Sequence, residues 1–128
     1  MSQDFGLRRF AVLHHAGGAD GAGGADAAHY DFLFDTTDTS SLVTFRLPDW
    51  PLVSATTHPA LKLRDHRRIY LTFEGQISGD RGHVSRVAEG ELQIVQSGGN
   101  WLLSLPDGRP FLAFEPMRGD EWQVTRSE

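Results

Sequence analysis

A histidine and an aspartate stand two positions apart in the apolar and aromatic stretch HYDFLFD, residues 29–35. If this stretch is a β-strand, successive side chains point to opposite faces. His29 and Asp31 then share one face with Leu33 and Asp35, and the aromatic residues share the other. The aromatic face predicts burial in a core. The first face is either an ordinary polar surface or half of a metal site.

Two more histidines, His14 and His15, end the strand predicted before this one. If the two strands are neighbours in a sheet, one of these histidines can reach the face that carries His29 and Asp31. Two imidazoles and one carboxylate form a ligand set with open positions, suited to Mn²⁺, Fe²⁺ or Zn²⁺. Both group types are available as ligands near neutral pH, so the absence of cysteine is no obstacle.

A second group of polar residues lies in RDHRRIYLTFEG, residues 64–75. On a strand, four donors of this stretch alternate along one face: Arg64, His66, Arg68 and Tyr70. Guanidinium, imidazole and phenol groups on one surface form a cradle for a phosphate. The alternative is an exposed basic turn that leads into an apolar strand.

Together, the two groups predict a metal beside a phosphate cradle. A metal can polarise a phosphoryl oxygen, while histidine and arginine neutralise charge that develops in the transition state. The chain has no G-x-x-x-x-G-K-[ST] loop and no G-x-S-x-G motif. Nucleotide-loop and serine-hydrolase chemistry therefore have no support.

Length and charge narrow the class of protein. A chain of 128 residues with a formal net charge of −5 predicts one domain and has the wrong sign for coating nucleic acid. A local basic pocket for a single phosphate is still compatible with that charge.

No apolar run approaches the roughly 20 residues that span a bilayer, and the N-terminus lacks the order of a secretory signal. We therefore expect a soluble, cytoplasmic protein without a membrane partner.

Short alternating runs bounded by turn residues recur along the chain and predict strands. They lie near residues 9–15, 29–35, 42–47, 69–73, 84–88, 91–96, 101–105, 111–115 and 121–125. Many short strands in a small chain predict an all-β domain, and a small closed or nearly closed β-barrel would leave few free sheet edges.

The predicted organisation is an N-terminal tail, residues 1–8, followed by one barrel domain, residues 9–128. Within it, the Gly/Ala-rich segment 16–28 predicts a flexible loop. Residues 48–60 hold three prolines and predict an irregular crossing of the surface, and residues 35–41 predict a hairpin loop.

Five sequence blocks, in order, resemble the 3′-phosphoesterase domain of bacterial DNA ligase D and its stand-alone relatives. They are RFAVLHH (9–15), HYDFLFD (29–35), FRLPDWP (45–51), DHRRIYLTFEG (65–75) and EWQVTR (121–126). The family folds as a compact β-barrel. It uses a divalent metal, typically manganese, to remove a 3′-terminal ribonucleoside or phosphate from DNA ends before sealing. The resemblance therefore implies action on the 3′ ends of DNA or of a DNA/RNA primer–template, with a DNA-repair ligase as a candidate partner.

The resemblance also implies roles for single residues. The metal ligands would be His15, His29 and Asp31. His15 is preferred to His14 by counting from the start of the first block.

His66 and Tyr70 fall where the family places its catalytic histidine and tyrosine. His66 would stabilise the transferring phosphoryl group and protonate the leaving oxygen, and Tyr70 would donate a hydrogen bond.

The chain departs from the family pattern at two arginines. Leu33 replaces the arginine after H-Y-D-F, and His58 replaces the arginine eight residues before His66. The phosphate-binding set that this sequence offers is then His58, Arg64 and Arg68. Losing one preorganised donor costs about 10²–10³ in rate in other enzymes. Leu33→Arg is therefore expected to raise the activity of an otherwise intact site.

Two other functions fit the sequence. One is a non-catalytic module that keeps the metal or phosphate pocket to bind DNA ends or a partner; Leu33 and the acidic net charge favour it. The other is an unrelated His/Asp metal barrel, such as a small oxygenase. The D-H…Y…F-E-G block counts against the oxygenase, which has no use for a phosphate cradle.

Overall fold

The computed structural model describes residues 1–16, 28–37, 41–76 and 82–128. These residues form ten strands and one short 3₁₀ helix, with no α-helix among them. In chain order the elements are β1 (Ser2–Ala16), β2 (Ala28–Phe34), β3 (Ser41–Leu47), β4 (Thr56–Lys62), β5 (His66–Arg67), the 3₁₀ helix (Arg68–Leu71), β6 (Gly75–Gln76), β7 (His83–Ser97), β8 (Asn100–Ser104), β9 (Pro110–Arg118) and β10 (Glu121–Arg126). No helix in this described part of the chain is long and apolar enough to cross a bilayer.

The strands pair antiparallel and close into a ring. The order around the ring is β1, β2, β3, β4, β10, β9, β8 and β7, and β7 pairs back with β1. Two short strands extend it, since β6 pairs with β7 and β5 pairs with β3. The predicted all-β fold with a closed sheet is confirmed.

Apolar side chains fill the inside of the ring. Phe32 and Phe34 of β2 are fully buried there, which confirms the predicted aromatic face of that strand. The rings of Phe45 and Phe114 stack with centroids 4.2 Å apart across this core. Burial of each such side chain stabilises the fold by roughly 1.5–3 kcal/mol.

A second, smaller core lies on the opposite face of β1, β2 and β3. We call it the outer cluster; it consists of Ala11, Leu13, Leu33, Leu42 and Leu71, all buried. Four of its members come from the strands and one from the 3₁₀ helix. The helix therefore covers the outer face of these strands, and it carries Tyr70 with it.

One predicted strand, residues 69–73, is wrong. The 3₁₀ helix occupies most of it, and the backbone N–H groups of Thr72 and Phe73 both donate to the carbonyl oxygen of Ile69, at 3.1 and 2.9 Å. A run this short does not distinguish a buried strand from a helical turn by periodicity. The turn buries Leu71 in the outer cluster and leaves Ile69 exposed.

Two predicted strands, residues 84–88 and 91–96, are one continuous strand, β7. No turn forms at Glu89-Gly90, between the two predicted runs. Gly90 has a φ of 155°, and a Cβ at this position would lie 3.2 Å from Cε1 of Phe10. The glycine therefore makes room for a neighbouring ring inside a strand.

The predicted N-terminal tail is also wrong. Residues from Ser2 onward belong to β1 and pair with β7 in a register that joins Ser2 to Ser97 and Leu7 to Gln93. The irregular stretch 48–60 likewise contains the start of β4. Strand pairing by the backbone needs no apolar alternation, so these segments gave little signal. Residues 17–27 of the predicted flexible loop and 38–40 of the predicted hairpin loop lie outside the described residues.

Candidate metal centre

The pairing of β1, β2 and β3 places polar side chains in two adjacent rows on the outer face. His15 and His29 are direct register partners in the first row. The second row runs from Leu13 to Asp31 and on to Arg46 across the three strands. Because directly opposite residues in antiparallel strands have Cβ atoms about 5 Å apart, the register alone brings these groups together.

The three predicted metal ligands meet at one point. Nδ1 of His15 lies 3.1 Å from Nε2 of His29, and the same Nε2 lies 3.6 Å from Oδ2 of Asp31. Their ligand atoms all lie within 4.8 Å of one another. His14 packs on Tyr30 instead, with ring centroids 4.9 Å apart. His15, His29 and Asp31 therefore form a group that could hold a metal ion.

The spacing of these donors fits a shared cation. Two ligand atoms that each lie about 2.1 Å from one ion are separated by about 3.0 Å at a right angle and about 3.4 Å at the tetrahedral angle. The separations of 3.1 and 3.6 Å are close to these values. Two imidazoles and a carboxylate suit Mn²⁺, Fe²⁺ or Zn²⁺. The other ring nitrogen of His29, Nδ1, is buried and has no hydrogen-bond partner among the described residues.

Asp31 connects the metal group to the second predicted group. Besides His29, its carboxylate lies 3.7 Å from Nε2 of His66 and 3.5 Å from Nε of Arg46. Burial alone would raise the pKa of Asp31. The nearby imidazoles of His29 and His66 and the positive charge of Arg46 outweigh that effect, so the pKa of Asp31 lies well below its ordinary value. Asp31 is thus ionised and ready to bind a cation.

His66 is held in place by its backbone and by one ring nitrogen. Strand β5 pairs His66 with Leu42, and the His66 N–H donates to Oγ1 of the buried Thr44 at 3.3 Å. Nδ1 of His66 lies 3.1 Å from the carbonyl oxygen of Arg64. Because a carbonyl only accepts, Nδ1 carries the proton, and Nε2 faces Asp31. The imidazole is therefore oriented with one nitrogen toward the site.

An open cleft of about 310 Å³ lies over these residues. Its walls include His15, Asp31, Arg46, His66 and Tyr70. The rings of His66 and Tyr70 meet edge to face, with centroids 5.7 Å apart. Both predicted catalytic residues therefore line the same cleft as two of the predicted metal ligands.

Three predicted phosphate-binding residues lie elsewhere. His58 on β4 lines a different depression and contacts Oγ1 of Thr56 at 2.6 Å. Arg64 is exposed and contributes its backbone carbonyl to His66. Arg68 donates to Oδ1 of the buried Asp35 at 2.8 Å. None of the three is among the residues that line the cleft.

Leu33 also differs from expectation. It lies on the same strand face as His29 and Asp31, yet it is fully buried in the outer cluster. It packs beneath the site, where an arginine would need a path to solvent. The expectation that Leu33→Arg adds a working phosphate donor therefore conflicts with the packing of this side chain.

Arg46 is the site residue that sequence reasoning missed. It lies in the FRLPDWP block between Phe45 and Leu47, which are both buried inside the ring. Alternation along β3 therefore turns Arg46 outward. The sequence shows this alternation, but it does not show the strand register that places Arg46 opposite Asp31.

No protein-family model matches the chain, and no curated protein matches it either. The geometry of the site and the order of the sequence blocks are therefore the grounds on which a function can be proposed.

Proposed function

We propose that this protein is a metal-dependent phosphoesterase that acts on the 3′ ends of nucleic acid, removing a 3′-ribonucleoside or 3′-phosphate. The observation that carries the proposal is the position of Asp31, whose carboxylate lies between the candidate ligand His29 and the candidate catalytic residue His66. A cation held by the first group would sit next to a phosphate held by the second.

His15, His29 and Asp31 would hold the divalent metal, which we propose is manganese. When bound, it supplies a Lewis acid that polarises a phosphoryl oxygen. The ligands themselves are held by strand pairing and burial, so the site needs little rearrangement to accept the ion.

His66 and Arg46 would act on the phosphate from the walls of the cleft. As an imidazolium, His66 can donate a proton from Nε2 to the leaving oxygen, because its Nδ1 is already engaged with a carbonyl. The guanidinium of Arg46, whose side chain is 37% exposed, can donate to a phosphate oxygen from the cleft wall. Tyr70 would add a hydroxyl donor.

The resemblance to the 3′-phosphoesterase domain of DNA ligase D supports this reading. Its motif residues His15, His29, Asp31, His66 and Tyr70 come from three separate blocks of sequence, and they surround one small region. Arg46 offers a guanidinium in place of the arginine that Leu33 replaces. Such an enzyme would work in the cytoplasm, beside a DNA-repair ligase that seals the processed end.

The direct test is cleavage of a primer–template that ends in a 3′-ribonucleotide or a 3′-phosphate, with Mn²⁺. We expect the wild type to shorten or dephosphorylate the primer. His29→Ala and His66→Ala should each lower the rate by about 10² or more, because each removes a ligand or a transition-state donor. His14→Ala is the matched control, since this histidine neighbours His15 in sequence but packs on Tyr30; its rate should stay within about twofold.

The same experiment tests a second function, a non-catalytic module that binds metal and nucleic-acid ends. One specific observation favours it: Arg68, a predicted phosphate donor, is engaged with Asp35. Metal-dependent binding of the primer–template without any cleavage would support the module and contradict the enzyme.

A further inference from the structure

A second depression adjoins the candidate metal centre on the outer face of the ring. It has a volume of about 370 Å³, and we call it the apolar shelf. Its lining includes Pro48, Pro59, Leu61, Glu121, His29 and Arg46. His29 belongs to the metal group and Arg46 to the cleft wall, so the shelf begins where the site ends.

Strand register fixes the direction in which the shelf extends. Asp31 pairs with Arg46, Arg46 pairs with Leu61, and Leu61 pairs with Glu121. These four residues form one row across β2, β3, β4 and β10. With neighbouring strands about 4.8 Å apart, Leu61 lies about 10 Å and Glu121 about 14 Å from Asp31, measured along the row.

The chemistry changes along this row from charged to apolar and back to charged. Arg46 can bind an anion at the near end. Leu61, which is 38% exposed, and the two prolines offer an uncharged surface in the middle. Glu121 at the far end is exposed, and an ionised carboxylate only accepts hydrogen bonds. A ligand that fits is anionic at one end, flat and apolar in the middle, and a hydrogen-bond donor at the other end.

We propose that the apolar shelf binds the base of the nucleotide whose phosphate lies in the cleft, and that Glu121 selects bases with an exocyclic amino group. This inference rests on the proposed function for the identity of the ligand. A cytosine N4 amino group donates to a carboxylate, whereas the O4 of uracil at the same position is an acceptor and is repelled. The shelf therefore favours cytosine over uracil.

The first test is direct binding of three probes by calorimetry, in the presence of Mn²⁺: cytidine 3′-monophosphate, uridine 3′-monophosphate and inorganic phosphate. We expect the cytidine nucleotide to bind about tenfold more tightly than phosphate, because it covers the apolar surface. It should bind about fivefold more tightly than the uridine nucleotide, because a single exposed hydrogen bond discriminates less than a bidentate pair.

Two variants assign these differences to residues. Leu61→Ser should remove most of the advantage of the nucleotides over phosphate. Glu121→Gln should remove the preference for cytidine, because an amide can both donate and accept. Leu102→Ser is the matched control: Leu102 is a strand leucine of similar exposure, 40% against 38%, on β8. This variant should leave all three affinities unchanged.

The outcomes separate the shelf from the proposed function. Equal binding of the three probes, or no binding of any, overturns the shelf. Base-dependent binding that responds to Leu61→Ser, with no cleavage of any 3′ end, supports the shelf and contradicts the phosphoesterase. Cleavage that proceeds equally well at 3′-ribocytidine and 3′-ribouridine ends, and is unaffected by Glu121→Gln, supports the phosphoesterase and overturns the shelf.

Discussion

Two aspartates, one in β2 and one directly after its last residue, have opposite surroundings. Asp31 and Asp35 are both buried, with exposures of 5% and 3%. Asp35 lies 2.8 Å from Nη1 of Arg68 and 3.5 Å from Nη1 of Arg8. These arginines come from the 3₁₀ helix and from β1, so this carboxylate ties the helix to the sheet.

Asp31, in contrast, has no partner within 3 Å among the residues that the structure describes. Its contacts with His29, His66 and Arg46 span 3.5–3.7 Å, which is long for a charge-assisted hydrogen bond. A carboxylate matched by a close arginine serves the fold, whereas one surrounded by longer contacts keeps an oxygen available for a cation.

Leu33 separates the two aspartates. It packs with Leu13, Leu42 and Leu71 in the outer cluster, which fills the space between the site and the Asp35 ion pairs. We therefore expect a charged side chain to be tolerated on either side of this apolar layer but not within it.

The largest effect is expected for Leu33→Arg, which places a guanidinium inside that layer. We expect a loss of about 4 kcal/mol in the free energy of unfolding, because a buried charge without a preformed partner is among the costliest substitutions. Urea denaturation followed by circular dichroism measures it. Leu33→Met, which conserves volume, should lose less than about 1.5 kcal/mol. A Leu33→Arg variant of wild-type stability with higher phosphoesterase activity would restore the sequence-based expectation for this residue.

The next largest effect is expected for Asp35→Asn. Removing one partner of a buried ion pair costs about 3–5 kcal/mol, and the lower end applies here because the Arg8 and Arg68 side chains are 26% and 35% exposed. Asp31→Asn is the matched comparison and should lose less, about 2 kcal/mol, because the groups that lower the pKa of Asp31 lie 3.5 Å or more from its carboxylate. Urea denaturation of the metal-free proteins measures both. Equal losses for the two variants would show that the aspartates do not differ as their contacts indicate.

For Mn²⁺ affinity, we expect the two aspartates to rank in the opposite order. Asp31→Asn removes an anionic ligand, so we expect an affinity about 100-fold weaker, equivalent to about 2.7 kcal/mol. Asp35→Asn should change the affinity by no more than about threefold, at a temperature where it is folded. Titration by calorimetry or by electron paramagnetic resonance of free Mn²⁺ measures it. Weak binding that is the same in the wild type and in Asp31→Asn would show that this group holds no manganese.

Much of the candidate site could be predicted from patterns within single strands. Alternation in HYDFLFD placed Phe32 and Phe34 in the core and His29 and Asp31 on the other face, as found. The same alternation places Leu33 on the face of His29 and Asp31, but it does not predict that Leu33 is buried. Leu33 is buried by the outer cluster, which depends on Leu71 from a segment predicted as a strand.

Patterns within single strands did not predict the features that depend on pairing between strands far apart in the chain. Gly90 and the Ser2–Arg8 segment lie in strands because β1 and β7 pair along their length, and neither segment has a local signal for this. The choice of His15 over His14 and the place of Arg46 opposite Asp31 are likewise matters of register, since a shift by one residue moves every side chain to the other face.

The sequence by itself determined the all-β class, the apolar inner faces of the strands, and the residue types from which a metal and phosphate site could be made. Those properties follow from local alternation and from the chemistry of single side chains. Only the tertiary structure decided that Asp31 is shared between His29 and His66, while Asp35 is given to Arg8 and Arg68. These partners lie up to 35 positions away in the chain. The conformational entropy lost in bringing them together is offset by burial in the closed sheet and its two cores, and not by any local preference.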